Sequence, residues 1–179
     1  MTKLPPALLL AALLGLSQCQ KKNDPDPAAQ LPPATQTGAN TVGCLLNGQP
    51  WAPVGNGTSK NFQVDYDAGY PGGLFSMSAY RYQGEAPTDG QTITIYVRPM
   101  PQASTYDLSN LTQTAIGFIN HRTGCDYDSR AGANYCKGTL TITRLDLQAG
   151  IIAGTFAFTL AKPGCDTIKV TQGRFDKKL

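Results

Sequence analysis

The chain has 179 residues, of which 41% are apolar and 15% charged, with Gly 19, Pro 13 and a formal net charge of +3. That is enough apolar material for one packed domain, while the glycine and proline content excludes a coiled coil or a long-helix protein. No basic run exceeds two residues, so nucleic acid is not an expected partner; one histidine and one glutamate leave little material for catalysis, and no cofactor motif is present.

Residues 1–18 read as a lipoprotein signal peptide. Lys3 gives a positive start, and Leu8 to Leu16 is an apolar run too short to span a bilayer but of the right length for a signal-peptide core. It ends in Leu16-Ser17-Gln18-Cys19, which resembles a bacterial lipobox. The resemblance implies that the Cys19 thiol is lipidated and becomes the new N-terminus. Gln18 departs from the small residue usual at that place.

Residues 19–40, beginning with the lipidated cysteine, read as a disordered tether. The stretch lacks hydrophobic periodicity, so nothing offsets the entropy of ordering it. The absence of Asp directly after Cys19 removes the usual inner-membrane retention signal. Lys21, Lys22 and Asp24 resemble, loosely, the export signal of surface lipoproteins in the Bacteroidota. The expected location is the bacterial cell envelope, on an outer membrane, facing the periplasm or the surface.

Residues 41–179 read as one all-β domain of about eight strands, an antiparallel β-sandwich or an up-and-down barrel. The run 41–46 precedes Asn47-Gly48, a strong hairpin-turn pair, and Trp51 comes next on an edge segment. Strands are expected at 62–66, 74–82, 91–98, 115–120, 139–146, 151–160 and 167–175. Alternation turns Phe75, Met77, Ala79, Ile93, Ile95 and Val97 inward, and Tyr80, Tyr82 and Tyr96 outward. Residues 104–111 could hold one helical turn.

With Cys19 assigned to lipid, Cys44, Cys125, Cys136 and Cys165 remain, an even number with three connectivities. Cys125 and Cys136 bracket a polar loop and are expected to pair, which leaves Cys44 to Cys165. No Cys-x-x-Cys spacing suggests zinc. Asp126 and Asp128 are spaced like calcium ligands, but Arg130 stands where the next oxygen ligand belongs. No metal and no catalytic residue is assigned; His121 lacks a nucleophile motif and reads as a loop residue.

The segment Gly43-Cys44-Leu45-Leu46-Asn47-Gly48-Gln49-Pro50-Trp51 and the ending, with Leu140 to Asp146, Gly154 to Phe158 and Gly173 to Asp176, are similar to a family of uncharacterised Bacteroidota lipoproteins. The resemblance implies an all-β lipoprotein domain and carries no activity with it. Three functions then compete. A membrane-anchored, non-catalytic module would bind a glycan or a protein through the outward Tyr80, Tyr82 and Tyr96 beside Ser, Thr and Arg. A lipocalin-like barrel would enclose a small ligand. A hydrolase would use carboxylates such as Asp65, Asp67 or Asp89 facing one cleft.

Overall fold

The structure, a computed structural model, describes residues 25–55, 61–82, 90–131 and 134–179. It is an all-β sandwich of two antiparallel sheets. The strands are β1 (Thr41–Leu46), β2 (Gln49–Trp51), β3 (Phe62–Asp67), β4 (Leu74–Tyr82), β5 (Gly90–Val97), β6 (Thr105–Asp107), β7 (Thr114–Asn120), β8 (Cys125–Asp128), β9 (Tyr135–Asp146), β10 (Ile151–Ala161) and β11 (Ile168–Lys178). One sheet has the order β2-β1-β11-β10-β9-β6, the other β3-β4-β5-β7-β8. Residues 1–24, which hold the expected signal peptide and Cys19, lie outside the described residues.

The period-two pattern of the sequence becomes the core directly. Phe75, Met77, Ala79, Ile93, Ile95 and Val97 meet Leu140, Ile142, Ile152, Phe156, Phe158 and Leu160 across the sandwich. Trp51 fills the space beside the first hairpin and is 1% exposed. Its indole Nε1 donates to Gln91 Oε1 at 2.8 Å, so the bulkiest side chain is buried with its polar atom satisfied. The β1–β2 turn has Asn47 at φ 49° and Gly48 at φ 81°, the doubly positive geometry of a type I′ turn that matches strand twist.

Three features differ from the sequence expectation. The described residues form eleven strands. Residues 104–111 hold the short edge strand β6, paired to β9 through Thr105↔Thr141, rather than a helical turn. The loop expected after Cys125 is instead the edge strand β8, then a crossing to the other sheet, where Cys136 lies opposite Leu160 on β10.

That crossing corrects the disulfide pairing. Cys125 and Cys136 belong to different sheets. Cys125 is bonded to Cys165, in the β10–β11 connection, with Cα atoms 6.1 Å apart. Cys44 and Cys136 are free thiols. Cys165 is thereby taken, and Cys44 is buried in the core opposite Trp51, its partner in the β1–β2 hairpin. Burial pushes its thiol up to about 12, with Arg81 opposing. Burial, then the charge of Asp107, pushes Cys136 up to about 11.

The tether expectation also changes for its described part. A 3-10 helix, Pro27–Gln30, is capped by the Asp26 carboxylate, which accepts from Ala28 N at 2.9 Å. Leu31 is buried. Residues 35–38 then run across β11, whose Asp176 carboxylate is 1% exposed. It accepts from Thr35 Oγ1 at 2.7 Å, Thr37 N at 2.8 Å and Gly38 N at 2.7 Å. Arg144 Nη1 donates to Gln36 O at 2.6 Å. The ordering force is a buried carboxylate about 140 residues away in sequence, which no local pattern reveals.

Candidate functional site

Strand pairing lays out the outer face of the five-stranded sheet as rows of neighbours. One row is Asp65, Ser76, Tyr96, Ala115; the next is Gln63, Ser78, Thr94, Gly117, Asp128; the third is Tyr80, Thr92, Ile119, Asp126. The middle of this face is made of small side chains, and the ends carry large or charged ones. The result is a groove of about 430 Å³ over β4, β5, β7 and β8. Ser76, Ser78, Thr92 and Thr94 offer hydroxyls along it, Tyr96 and Arg130 stand at one end, and Asp126 and Asp128 line the β8 side.

Gly117 keeps the groove open. A Cβ there would come within 2.6 Å of Thr94 Oγ1. Arg130 reaches the site because β8 ends in a tight turn. Asp128 Oδ1 accepts from Arg130 N at 2.9 Å, and the buried Ser129 Oγ accepts from Ile116 N at 2.9 Å. The β8 strand is tied to the other sheet three times: by the Cys125–Cys165 bond, by Tyr127 donating to Asp166 O, and by Lys162 Nζ donating to Asp126 O at 2.7 Å.

The guanidiniums of Arg98 and Arg130 both lie over the Tyr96 ring, at 5.9 and 5.6 Å from its centroid. Arg98 also lies 5.7 Å from the Tyr70 ring centre and donates to Tyr70 Oη at 2.7 Å. Such contacts orient a guanidinium without neutralising it.

The three tyrosines singled out by alternation are all half-buried on this same face. Of the three, Tyr96 lines the groove. Tyr80 sits opposite Thr92, and Tyr82 packs where Gly55 and Gly90 leave room for its ring. Trp51, an aromatic near them in sequence, is in the core instead. Asp65 and Asp67 are exposed on one strand, and Asp67 Oδ1 accepts from Gly69 N within its own turn at 2.8 Å. Asp89 lies outside the described residues. Among the described residues no three of His, Cys, Asp and Glu gather as a metal site would require.

Sequence reasoning missed Gly117, Thr94, Ser78 and Arg130 as parts of one site. The available signal was the run of small residues on the outward positions of three strands. It becomes visible only when register stacks them side by side. A larger depression, about 910 Å³, lies beside the free edge of β3 near the C-terminal residues. It is the open flank of an edge strand, bridged by Lys177 Nζ over the Phe62 ring at 5.4 Å.

The chain matches no family model, no curated protein and no solved structure.

Proposed function

We propose that this protein is a bacterial envelope lipoprotein, anchored through a lipidated Cys19, whose sandwich binds a saccharide on the outer face of the five-stranded sheet without transforming it. One observation carries the binding reading: a groove of about 430 Å³ floored by Ser76, Ser78, Thr92 and Thr94 and closed at one end by the Tyr96 ring. Sugars present hydroxyls along their edges and apolar C–H patches on their faces. A row of small hydroxyl side chains beside an aromatic ring matches both, and it is held on strands rather than loops.

The competing readings receive less support. A small-ligand barrel needs a hollow interior, and Trp51, Phe75, Phe118, Tyr127, Met77 and Met100 occupy the space between the sheets. A hydrolase of the two-carboxylate kind needs acids facing each other across the substrate. Asp126 and Asp128 lie on one side of the groove, both on β8.

The anchoring half is tested by fractionation of a Cys19→Ala variant, which should leave the membrane. Persistence in the membrane fraction removes the lipid assignment. The binding half is tested by a glycan array with the full-length protein in detergent, followed by calorimetry on the hits with parent and Tyr96→Ala. The expected outcome is a hit weakened at least tenfold by the substitution. Hits indifferent to Tyr96→Ala exclude the groove as the binding site.

A further inference from the structure

Arg130 lines one end of the groove, and Arg98, outside that lining, lies over the same Tyr96 ring; among the described residues neither guanidinium has an acidic partner. Among the described residues the one ion pair is Arg144 with Asp146, on the other sheet. Arg98 contacts Tyr70 and Tyr96, and Arg130 contacts Tyr96. Their guanidinium carbons can be no further apart than the two ring distances laid end to end, so two like charges share one aromatic ring. The nearby carboxylates do not neutralise them. Asp128 uses an oxygen on the Arg130 main chain, not on its guanidinium. Asp126 lies two rows further along the face, beside Ile119 rather than Tyr96.

We infer that Arg98 and Arg130, splayed over Tyr96, form an acidic-sugar subsite, so that the groove takes a saccharide bearing carboxylates and sets one of them between the two guanidiniums. The inference rests on the saccharide reading above and names its substrate class. Guanidinium presents a planar fork that matches a carboxylate in two parallel hydrogen bonds. The Tyr96 face and the Tyr70 hydroxyl hold the forks in place before ligand arrives, which reduces the ordering entropy of two long side chains. A bound carboxylate also relieves the repulsion between the cations. The polarity of the groove then sets the direction of the chain: acid at the Arg98–Arg130 end, neutral sugar hydroxyls over Ser78 and Thr94, and the Asp126 carboxylate, in the row beyond them, disfavouring a second acid there.

The test uses uronic-acid oligomers of several backbones, polygalacturonate and alginate among them, each measured beside its own methyl ester. Esterification removes the charge and leaves the ring hydroxyls. Calorimetry with the full-length protein in detergent should give at least one acid that binds about tenfold more tightly than its ester, the scale of one charge-assisted hydrogen-bond pair at an exposed site. That preference should shrink as salt rises from about 10 mM to 150 mM, since the Debye length falls from about 30 Å to 8 Å. Arg98→Gln and Arg130→Gln should each weaken the acid more than its ester, so that the preference between them shrinks, with thermal unfolding close to the parent. Acid and ester binding equally, or the ester alone binding, overturns the acidic-sugar subsite while the saccharide groove stands. If neither member of any pair binds and the array is blank as well, the saccharide reading fails with it.

Discussion

On the six-stranded sheet the chain covers the outer face over β1 and β11. Pro32 lies over Gly43, so near that a Cβ on that glycine would come within 2.6 Å of the proline ring, and residues 35–38 are clasped by Asp176. On the five-stranded sheet the outer face is open. Gly117 there has a strand neighbour, Thr94, at the same 2.6 Å and, among the described residues, no chain laid across it. Both faces present glycine and threonine on outward steps. The difference lies in whether another part of the chain was used to cover them. A covered polar face contributes stability through satisfied hydrogen bonds. An uncovered one with a shaped floor is left for a ligand. Substitutions on the first should therefore be felt in unfolding, and substitutions on the second in binding.

The largest expected effect comes from the bond that joins the two halves of this comparison. Cys125–Cys165 closes a ring over a sequence separation of 40 and pins β8, the groove's outer wall, to the opposite sheet. On the chain-entropy account its loss lowers stability by about 4 kcal/mol. A Cys125→Ser, Cys165→Ser double variant should show this in urea unfolding and should also weaken ligand binding, because Asp126, Asp128 and Arg130 ride on β8. Full binding with the stability loss would mean that β8 holds its place by pairing to β7 alone.

Asp176 is the next largest. Its carboxylate accepts only from donors, so Asp176→Asn turns an amide NH₂ toward groups that also donate. The expected loss is about 3 kcal/mol. The same residue sets an acid limb. Burial pushes the Asp176 carboxyl up, but hydrogen bonds from Thr35, Thr37, Ala39 and Gly38 outweigh it and hold it at about 2, below the ordinary 3.8. Because the folded value is the lower one, this stabilisation is complete above 3.8 and is lost as pH falls toward 2. Unfolding measured between pH 5 and about 2 should slope in the parent and be flatter in Asp176→Asn. Equal slopes would show that other carboxyls carry the acid sensitivity.

The paired glycines give a direct contrast of smaller size. Gly43→Ala forces Pro32 off the sheet and should cost about 1–3 kcal/mol, as overpacking does. Gly117→Ala meets one side chain, Thr94, which must change χ1 to clear it, so it should cost less than Gly43→Ala, about 1 kcal/mol, while narrowing the groove and weakening the ligand. If Gly117→Ala is the more destabilising of the two, the open face is part of the packing and the contrast between the faces fails.

How far the sequence reached follows from the same division. Everything set by short-range alternation was legible: the Leu74–Tyr82 strand with Phe75, Met77 and Ala79 inward, the Ile93-Ile95-Val97 stripe, the Asn47-Gly48 turn, and Tyr96 on the outside. What failed depended on contacts distant in sequence. The polar run 126–128 gives no sign of being a strand, because only Tyr127 of its residues turns inward. The pairing of Cys125 with Cys165 comes from β8 lying beside the β10–β11 hairpin, a fact of topology. The segment 25–40 looked like free tether because its partner, Asp176, sits near the other end of the chain. The groove was half legible: one wall was named through Tyr96, while its floor required the register of four strands.

The smallest stability effect, and the sharpest discrimination, is expected at Tyr96. It occupies central strand β5, next to Ser76 on one side and Ala115 on the other, both small partners. Removing the ring forfeits cross-strand contact worth about 0.2–1 kcal/mol. It also removes the cation–π contacts to Arg98 and Arg130, and these side chains can return to water, so the loss should stay within about 1 kcal/mol. Ile95, one residue earlier on the same strand, faces the other way and is 1% exposed. Ile95→Ala opens a cavity between the sheets and should cost about 2–5 kcal/mol. The two variants differ by one step along a strand and by which side of the sheet they face. Tyr96→Ala should therefore unfold close to the parent midpoint and lose ligand, whereas Ile95→Ala should unfold early and, while folded, still bind. A Tyr96→Ala protein as unstable as Ile95→Ala would make the Tyr96 ring part of the packing and leave the open face without its anchor.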